Sequence, residues 1–447
     1  MRLKFFPAIV LLVLSSGIGQ AQSLTLADCI NTSLQNNPTM RIARENIEKS
    51  KASMNEATSL GMPKLAIQGV YTRVDKVPVA DFNGNSIKLG TQDSKIADLV
   101  LTQPIDIFSI DKTGRHVAKL SKSSAQLDLD QTTNDVTLDT KTAFFNVLRA
   151  QAFRKVQEDT VAQLDAHLKD AQLHYDAGTI ARFDVLRAET ELANARQGLI
   201  ASRNGVELAK SSLNNVMGRP VATQFDLAEP ENPGFPKFEL AACTDAACNG
   251  RPEILRAKTQ VEMADQTRKI TSLAGKPRFN LQWDYNRNFN ATVFNPRSTS
   301  WTAYLTTNIS VFDGGATRAS VDKASSDADN ARSLDEQMVQ AVALDVQQSY
   351  LSLNEARNRI QVAGKGLEQA KEAMRLAQVR YQGGVSTQLE VLDARSALTL
   401  AETNRVNATY DYQIALAKLE RAVGGKERMA QLMAGPTGGQ GDGATGR

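Results

Sequence analysis

Residue types that carry most catalytic and metal chemistry are scarce in this sequence. It has 3 histidines and 3 cysteines among 447 residues, and aromatic residues make up 6%. It contains no P-loop, nucleophile elbow or dinucleotide fingerprint, and no Cys or second His lies at metal-ligand spacing from any of its histidines. We therefore expect neither an enzyme nor a metal site, and we expect no cofactor.

A strong charge of either sign is also missing. The net charge is +3 at pH 7 and no run of basic residues occurs, so the composition does not indicate a nucleic-acid partner. Proline is absent from long stretches rich in Ala, Gln, Asn, Leu and Asp, a composition typical of extended helices. These features argue against a chain of ordinary globular domains.

Long hydrophobic runs are absent beyond the N-terminal region. Residues 1–21 have the form of a signal peptide, because Arg2 and Lys4 precede a short apolar run and small residues lead to a cleavage site after Ala21. No later segment approaches the roughly 18 apolar residues that a membrane helix needs. We predict an exported protein without a membrane-spanning helix.

The few cysteines allow two interpretations in an exported chain. Cys243 and Cys248 could close a small disulfide loop, and two reduced thiols are the alternative. Cys29 is left over, and we interpret it as a small buried apolar residue.

The dominant feature that is present is an internal repeat. The segments 174–187 and 380–393 align without a gap at an offset of 206 residues. The offset continues along the helical patterns on both sides, and it becomes 214 nearer the start of each unit. Three landmark pairs lie in the aligned segments: Tyr175/Tyr381, Gly178/Gly384 and Asp184/Glu390. The chain is therefore interpreted as a tandem duplication.

The repeat sets the predicted domain boundaries. They are a signal peptide at 1–21, a first repeat at 22–225, a linker at 226–237, a second repeat at 238–425 and a tail at 426–447. The linker is rich in proline, and the glycines of the tail predict disorder.

Each repeat contains two segments with the period-two alternation of a β-strand. They lie at about 63–76, 96–109, 277–290 and 299–312. In the third, Phe279, Leu281 and Trp283 share one face while Asn280 and Gln282 share the other. Strands of about 11 residues are long enough to cross a bilayer, although a half-buried soluble sheet has the same period. Export without a membrane helix favours the membrane barrel.

Each repeat also contains one very long helical pattern that leads into a hairpin. The long helices are predicted at about 113–176 and 316–382, and the hairpins at 177–182 and 383–387. A helix of about 64 residues rises about 95 Å, so it cannot bury its apolar face within one compact domain and needs lateral neighbours. The predicted fold is mainly α with membrane β, built from a duplicated helix–strand–strand–long helix–hairpin–helix unit.

Four strands cannot seal a membrane barrel by themselves. Lipid offers no partner for unpaired backbone groups, so a spanning sheet must close, and single-chain barrels begin at about eight strands. Several copies of the chain must then share one barrel. Three copies would supply about twelve strands, with long helices continuing the barrel as a tunnel.

Over essentially the whole mature chain, the duplicated unit and its landmark residues resemble the TolC-like outer membrane efflux proteins. The motifs that carry the resemblance are Tyr381-x-x-Gly384, Glu390-Val-Leu-Asp393-Ala394 and Asp411-Tyr412-x-x-Ala415-x-x-x-Leu419-x-x-x-x-Gly424. The resemblance implies a homotrimer in the outer membrane of a Gram-negative bacterium. Its twelve-stranded β-barrel would continue as a periplasmic α-helical barrel. The implied partners are outer membrane lipid, a periplasmic adaptor and an inner membrane pump of the RND, ABC or MFS type.

The same resemblance implies a gate at the hairpins. Glu390 and Asp393 would form an acidic ring that constricts the pore, while Asp184 and Tyr381 would join the contacts that close the tip. The alternative for the two acids is that they favour the positive end of their helix. Family members with a described latch carry an arginine where this chain has Ser386.

Other hairpin residues have open roles. Arg187 or Arg182 could replace the missing arginine in the contacts that close the tip. Adaptor contacts are expected at Gly178, Thr179, Gly384, Ser386 and Thr387, for which plain solvated turn residues are the alternative. The alternative function for the whole chain is a soluble periplasmic coiled-coil adaptor or structural protein.

Overall fold

The computed structural model describes residues 23–82, 84–230, 234–290 and 298–434. The predicted signal peptide and the end of the predicted tail, 435–447, lie outside the described residues. The chain divides into two units. The hairpin unit is the described part of Met1–Asn37, Val136–Lys237 and Leu351–Lys418, and the sheet unit is the described part of Pro38–Asp135, Phe238–Tyr350 and Leu419–Arg447.

The elements follow one another in the duplicated order that the sequence predicts. The first repeat contains β1 (Ser23–Leu24), α1 (Leu26–Asn36), α2 (Pro38–Ser59), β2 (Lys64–Arg73), β3 (Val79–Phe82), β4 (Asn85–Lys88), β5 (Asp93–Ile105), α3 (Ile110–Asp176) and α4 (Arg182–Val216). After β6 (Asp226–Leu227), the second contains α5 (Leu240–Gly250), α6 (Pro252–Ser272), β7 (Arg278–Asn288), β8 (Thr299–Asn308), α7 (Ala316–Gln382) and α8 (Gln388–Ala422). α9 (Lys426–Ala434) follows in the predicted tail.

The sheet unit contains a four-stranded antiparallel sheet in the order β2-β5-β7-β8. Its register places apolar side chains opposite one another on one face, where Leu65 pairs with Leu101 and Leu101 with Trp283. The other face is polar: Asp98 lies opposite Asn286, whose amide donates a hydrogen bond of 2.5 Å to its carboxylate. Among the described residues, no helix has both the length and the apolarity to span a membrane.

Strand ends differ from the sequence-based bounds. The strand predicted at 299–312 ends at Asn308, so Ile309 and Val311 lie beyond it. The segment between β2 and β5 forms a small hairpin, in which β3 pairs with β4, and periodicity did not indicate it. Within the predicted linker, β6 pairs in parallel with β1.

One apolar core of the hairpin unit packs around α1. The T-shaped pair Phe144 and Phe145, with ring centroids 5.7 Å apart, packs with Leu213, Met217 and Cys29. Cys29 is fully buried, as predicted, and burial raises the pKa of its thiol to about 11. This core therefore connects α1 to α3 and α4.

Of the two interpretations of Cys243 and Cys248, the structure has the reduced thiols, since both cysteines are free. Both residues lie in α5, and five residues along a helix correspond to roughly 140° of rotation. The two side chains therefore leave the helix on different sides.

The predicted disorder of the tail is wrong for its first nine residues, which form α9. Met429 is buried, and the Arg428 guanidinium donates a hydrogen bond of 3.1 Å to the carbonyl of Ala246. The guanidinium lies against Gly250, where any Cβ would collide with it. The segment consists of strong helix formers, and contacts with α5 hold the helix in place.

A buried network of charges connects four helices of the sheet unit. Arg251 is 5% exposed and bonds Glu253 at 2.8 Å and Asp345 at 2.6 Å. Arg421 bonds Asp345 at 2.9 Å, Glu253 at 3.2 Å and Asp135 at 2.8 Å. Two cations thus share three carboxylates. The ion pairs offset the cost of burying these charges only while all five partners are present.

Candidate functional site: the two helical hairpins

The two hairpins have the same turn geometry. Gly178 and Gly384 have φ angles of 76° and 72°, a left-handed conformation that glycine adopts without a steric penalty. Thr179 N donates to His174 O at 2.9 Å, and Val385 N donates to Arg380 O at 3.0 Å. Equivalent residues therefore end α3 and α7 in the same way, as the repeat predicts.

The two carboxylates of the predicted acidic ring lie in the first turn and a half of α8. Glu390 and Asp393 are exposed, whereas Val391 and Leu392 between them are buried. Leu392 packs with Leu164 and Leu192. Burial of the two apolar residues on one side of α8 therefore leaves both acids on the exposed side.

Glu390 has partners across its own turn. Its carboxylate accepts a hydrogen bond of 2.7 Å from the Ser386 hydroxyl, and the Arg380 guanidinium lies 3.7 Å away. The arginine beside this acid is therefore Arg380, which was not among the arginines predicted from the sequence. Arg187, which was predicted, makes no hydrogen bond or ion pair among the described residues. Because Arg380 and Glu390 are both about half exposed, the pair contributes little to stability.

Asp393 is more isolated. It is exposed and makes no hydrogen bond or ion pair with any residue in the described part of the chain. Its negative charge is therefore not neutralised by any described side chain and can interact with a neighbouring copy or with ions.

Tyr381 and Asp184, the two residues expected to join the contacts that close the tip, lie close enough to interact electrostatically. The Tyr381 hydroxyl is buried without a hydrogen-bond partner among the described residues. Burial and the nearby carboxylates of Asp184 and Asp170 raise its pKa. The bond between the hairpins comes instead from the Gln388 amide, which donates to the backbone carbonyl of Asp184 at 3.1 Å.

The residues predicted to contact an adaptor lie at the turns. Gly178, Thr179, Gly384 and Thr387 are exposed, and Ser386 is half-buried. The Thr179 hydroxyl donates to the carbonyl of His174 at 2.8 Å. An apolar residue, Val385, is 70% exposed beside them, so both turns end in accessible surface.

Metal binding has no structural support within the described ranges. No group of three or more His, Cys, Asp or Glu side chains has the geometry of a metal site there.

A two-faced sheet of four strands and a duplicated pair of long helical hairpins define a class of outer membrane channels. The outer membrane efflux protein family model matches residues 29–219 and 244–425. The chain belongs to this family and lies in the outer membrane. The alternative of a soluble periplasmic adaptor is set aside.

Comparison with individual proteins gives the same fold. The chain is 24% identical over 424 residues to the solvent efflux pump outer membrane protein SrpC of Pseudomonas putida, covering 91% of this chain and 86% of that protein. It is 22% identical over 438 residues to the outer membrane protein TolC of Escherichia coli, covering 94% of this chain and 86% of TolC. The CmeC outer membrane channel of Campylobacter jejuni aligns with a TM-score of 0.80 at 15% identity, covering 91% of this chain and 88% of CmeC.

Proposed function

We propose that this protein is the exit duct of a tripartite efflux or type I secretion system. A homotrimer receives substrates from a periplasmic adaptor and an inner membrane pump of the RND, ABC or MFS type. The cargo classes that fit such a duct are drugs, other small toxic molecules or proteins. The observation that carries the proposal is the open four-stranded sheet with one apolar and one polar face.

The open sheet supports a shared barrel. β2 and β8 are its outer strands, and each has an edge without a partner strand within the described residues. Unpaired backbone groups are too costly in lipid, so these edges must pair with neighbouring copies. The apolar face then contacts lipid and the polar face lines the channel, as in outer membrane barrels.

The hairpins support a gate at the periplasmic end. In a trimer, three copies of Glu390 and Asp393 would lie around one axis, because both are exposed at the start of α8. A ring of carboxylates favours cations and disfavours anions. Docking of an adaptor that binds the open arrangement more tightly would shift the population toward it.

The test of the duct is assembly and conduction. Protein purified from outer membranes in detergent is expected to run as a trimer and to form ion channels in a planar bilayer, because one copy has too few strands to close a barrel. A monomer that conducts no ions would contradict the proposal. Loss of compound efflux on deletion, restored by the intact gene, connects the channel to transport.

The acidic ring gives a separate prediction. The double variant Glu390→Gln and Asp393→Asn keeps side-chain size but removes the charge, so the cation-to-anion permeability ratio should fall toward unity. Reversal potentials in asymmetric KCl measure this ratio. Glu372→Gln is the control, because Glu372 is an exposed acid on α7 paired with Arg375 at 2.7 Å. Unchanged selectivity in the double variant would rule out the ring.

A further inference from the structure

A cavity of about 220 Å³, partly open to solvent, lies in the hairpin unit and is bounded by α3, α7 and α8. Its apolar wall includes Leu164, Met374, Val391 and Leu392. Its polar lining includes the side chains of His167, His174, Gln378, Tyr381 and Arg395. Each of these can donate a hydrogen bond, and Arg395 can only donate. The cavity thus has one side suited to hydrocarbon and another suited to an acceptor.

Arg395 is the unusual member of this lining. It is 8% exposed, yet it makes no hydrogen bond or ion pair with any described residue. Burial lowers the pKa of Arg395, and the carboxylate of Glu402 partly opposes that effect. Buried arginines are almost always paired, because an unpaired buried cation strongly destabilises a fold.

Two further polar atoms in the same cavity are buried without partners. They are the Tyr381 hydroxyl oxygen and His167 Nε2, and their rings lie 5.9 Å apart between centroids. Burial lowers the pKa of His167, which keeps its imidazole neutral near pH 7. Buried polar groups are nearly always bonded. Two fully buried atoms without partners, together with the cation of Arg395 on a third helix, therefore indicate a ligand.

We propose that this cavity binds a small organic carboxylate. The carboxylate lies against Arg395 and the Tyr381 hydroxyl, and the apolar body lies against Met374 and Leu392. A planar guanidinium matches a carboxylate with two parallel hydrogen bonds. The one acid in the lining, Asp170, is exposed, so a cationic ligand would still leave Arg395 unpaired.

The cavity volume sets the size of the ligand. Pockets for drug-sized molecules measure roughly 300–1,000 Å³, which is more than this cavity offers. A small aromatic or branched acid fits, whereas inorganic phosphate would leave the apolar wall uncovered. Because the ligand would touch α3, α7 and α8 together, its binding would favour the arrangement of these helices seen here.

The direct test uses 4-fluorobenzoate as the probe, observed by fluorine NMR with the full-length protein in detergent. We expect saturable binding of 4-fluorobenzoate and none of 4-fluorobenzamide, which has the same shape without the charge. Inorganic phosphate at equal concentration should not displace the probe. Equal binding of the amide, displacement by phosphate, or no binding of the acid would each overturn the proposal.

Three variants locate the site. Arg395→Gln should weaken 4-fluorobenzoate binding at least about tenfold, because a charged hydrogen bond is lost. Tyr381→Phe should weaken it about threefold to tenfold, because a neutral hydrogen bond is lost. Arg405→Gln is the matched control: Arg405 lies on the same helix outside the cavity and donates to Ile360 O at 2.8 Å. Wild-type affinity in Arg395→Gln would contradict the assignment. If that variant fails to assemble, wild-type affinity in Tyr381→Phe contradicts it equally.

Discussion

Replacing Gly218 with alanine is expected to lower the free energy of unfolding by roughly 2–4 kcal/mol. Gly218 follows the end of α4 with a φ of 66°, a conformation that costs alanine about 1–2 kcal/mol. An added Cβ would also lie 2.5 Å from the carbonyl oxygen of Asn36 and 2.8 Å from its carbonyl carbon. The clashing atoms belong to the backbone, which cannot rotate away as a flexible side chain can. The end of α1 must therefore shift to make room for the Cβ. Urea unfolding of the purified protein in detergent measures the loss.

The control for this prediction is Gly205→Ala. Gly205 lies in the interior of α4, and a Cβ there meets no atom within 4 Å. Alanine in a helix interior is favoured over glycine by about 0.5–1 kcal/mol, so the control should be slightly more stable than wild type. If both variants have the same urea midpoint, the close approach of the Asn36 backbone to Gly218 does not limit stability.

Replacing Arg251 with alanine is expected to cost about 3–5 kcal/mol, the usual effect of removing one partner from a buried ion pair. Glu253 is only 8% exposed and would keep a single cationic partner, Arg421, at 3.2 Å. Arg375→Ala is the control, because its pair with Glu372 is more than half exposed and should contribute less than about 1 kcal/mol. Similar losses of unfolding free energy in the two variants would show that the buried network stabilises the fold no more than an exposed ion pair does.

The network also predicts the direction of a pH effect. Burial alone would raise the pKa of Glu253, but the bonds from Arg251 outweigh burial and hold it below its ordinary value of 4.5. A carboxyl with a lowered folded-state pKa stabilises the protein above its unfolded-state pKa, and the contribution is lost as the pH falls through the folded-state value. Acid should therefore destabilise wild type more than Arg251→Ala. If the unfolding free energies of wild type and Arg251→Ala fell in parallel from pH 7 to acid, Glu253 would not be the source of the pH effect.

Much of the architecture could be predicted because it depends on local rules. A left-handed turn needs glycine, so Gly178 and Gly384 mark both hairpins in the sequence. Alternation along 278–288 gives the two faces of β7, and Pro38 separates α1 from α2. The repeat then doubles each signal, which is why the order of elements agrees with the structure.

The structure differs from the sequence-based interpretation where two short helices, α5 and α9, form that the pattern did not indicate. A spacing of five residues allowed a loop between Cys243 and Cys248, but the segment is helical and separates the thiols. The glycines that predicted disorder begin at Gly435, whereas 426–434 consists of helix formers and its Arg428 and Met429 pack against the fold. The arginine beside Glu390 is Arg380, and no spacing rule marked it.

The sequence by itself determined the duplication, the two-faced strands and the conformation of the hairpin turns, because each follows from residues close together in the chain. Tertiary structure alone decided which charges are buried together and which remain unpaired. Arg395 and His167 lie 228 residues apart in the sequence, and the packing of three helices brings both to one cavity. Burial and pairing depend on such long-range neighbours, so the cavity has no signature in the sequence.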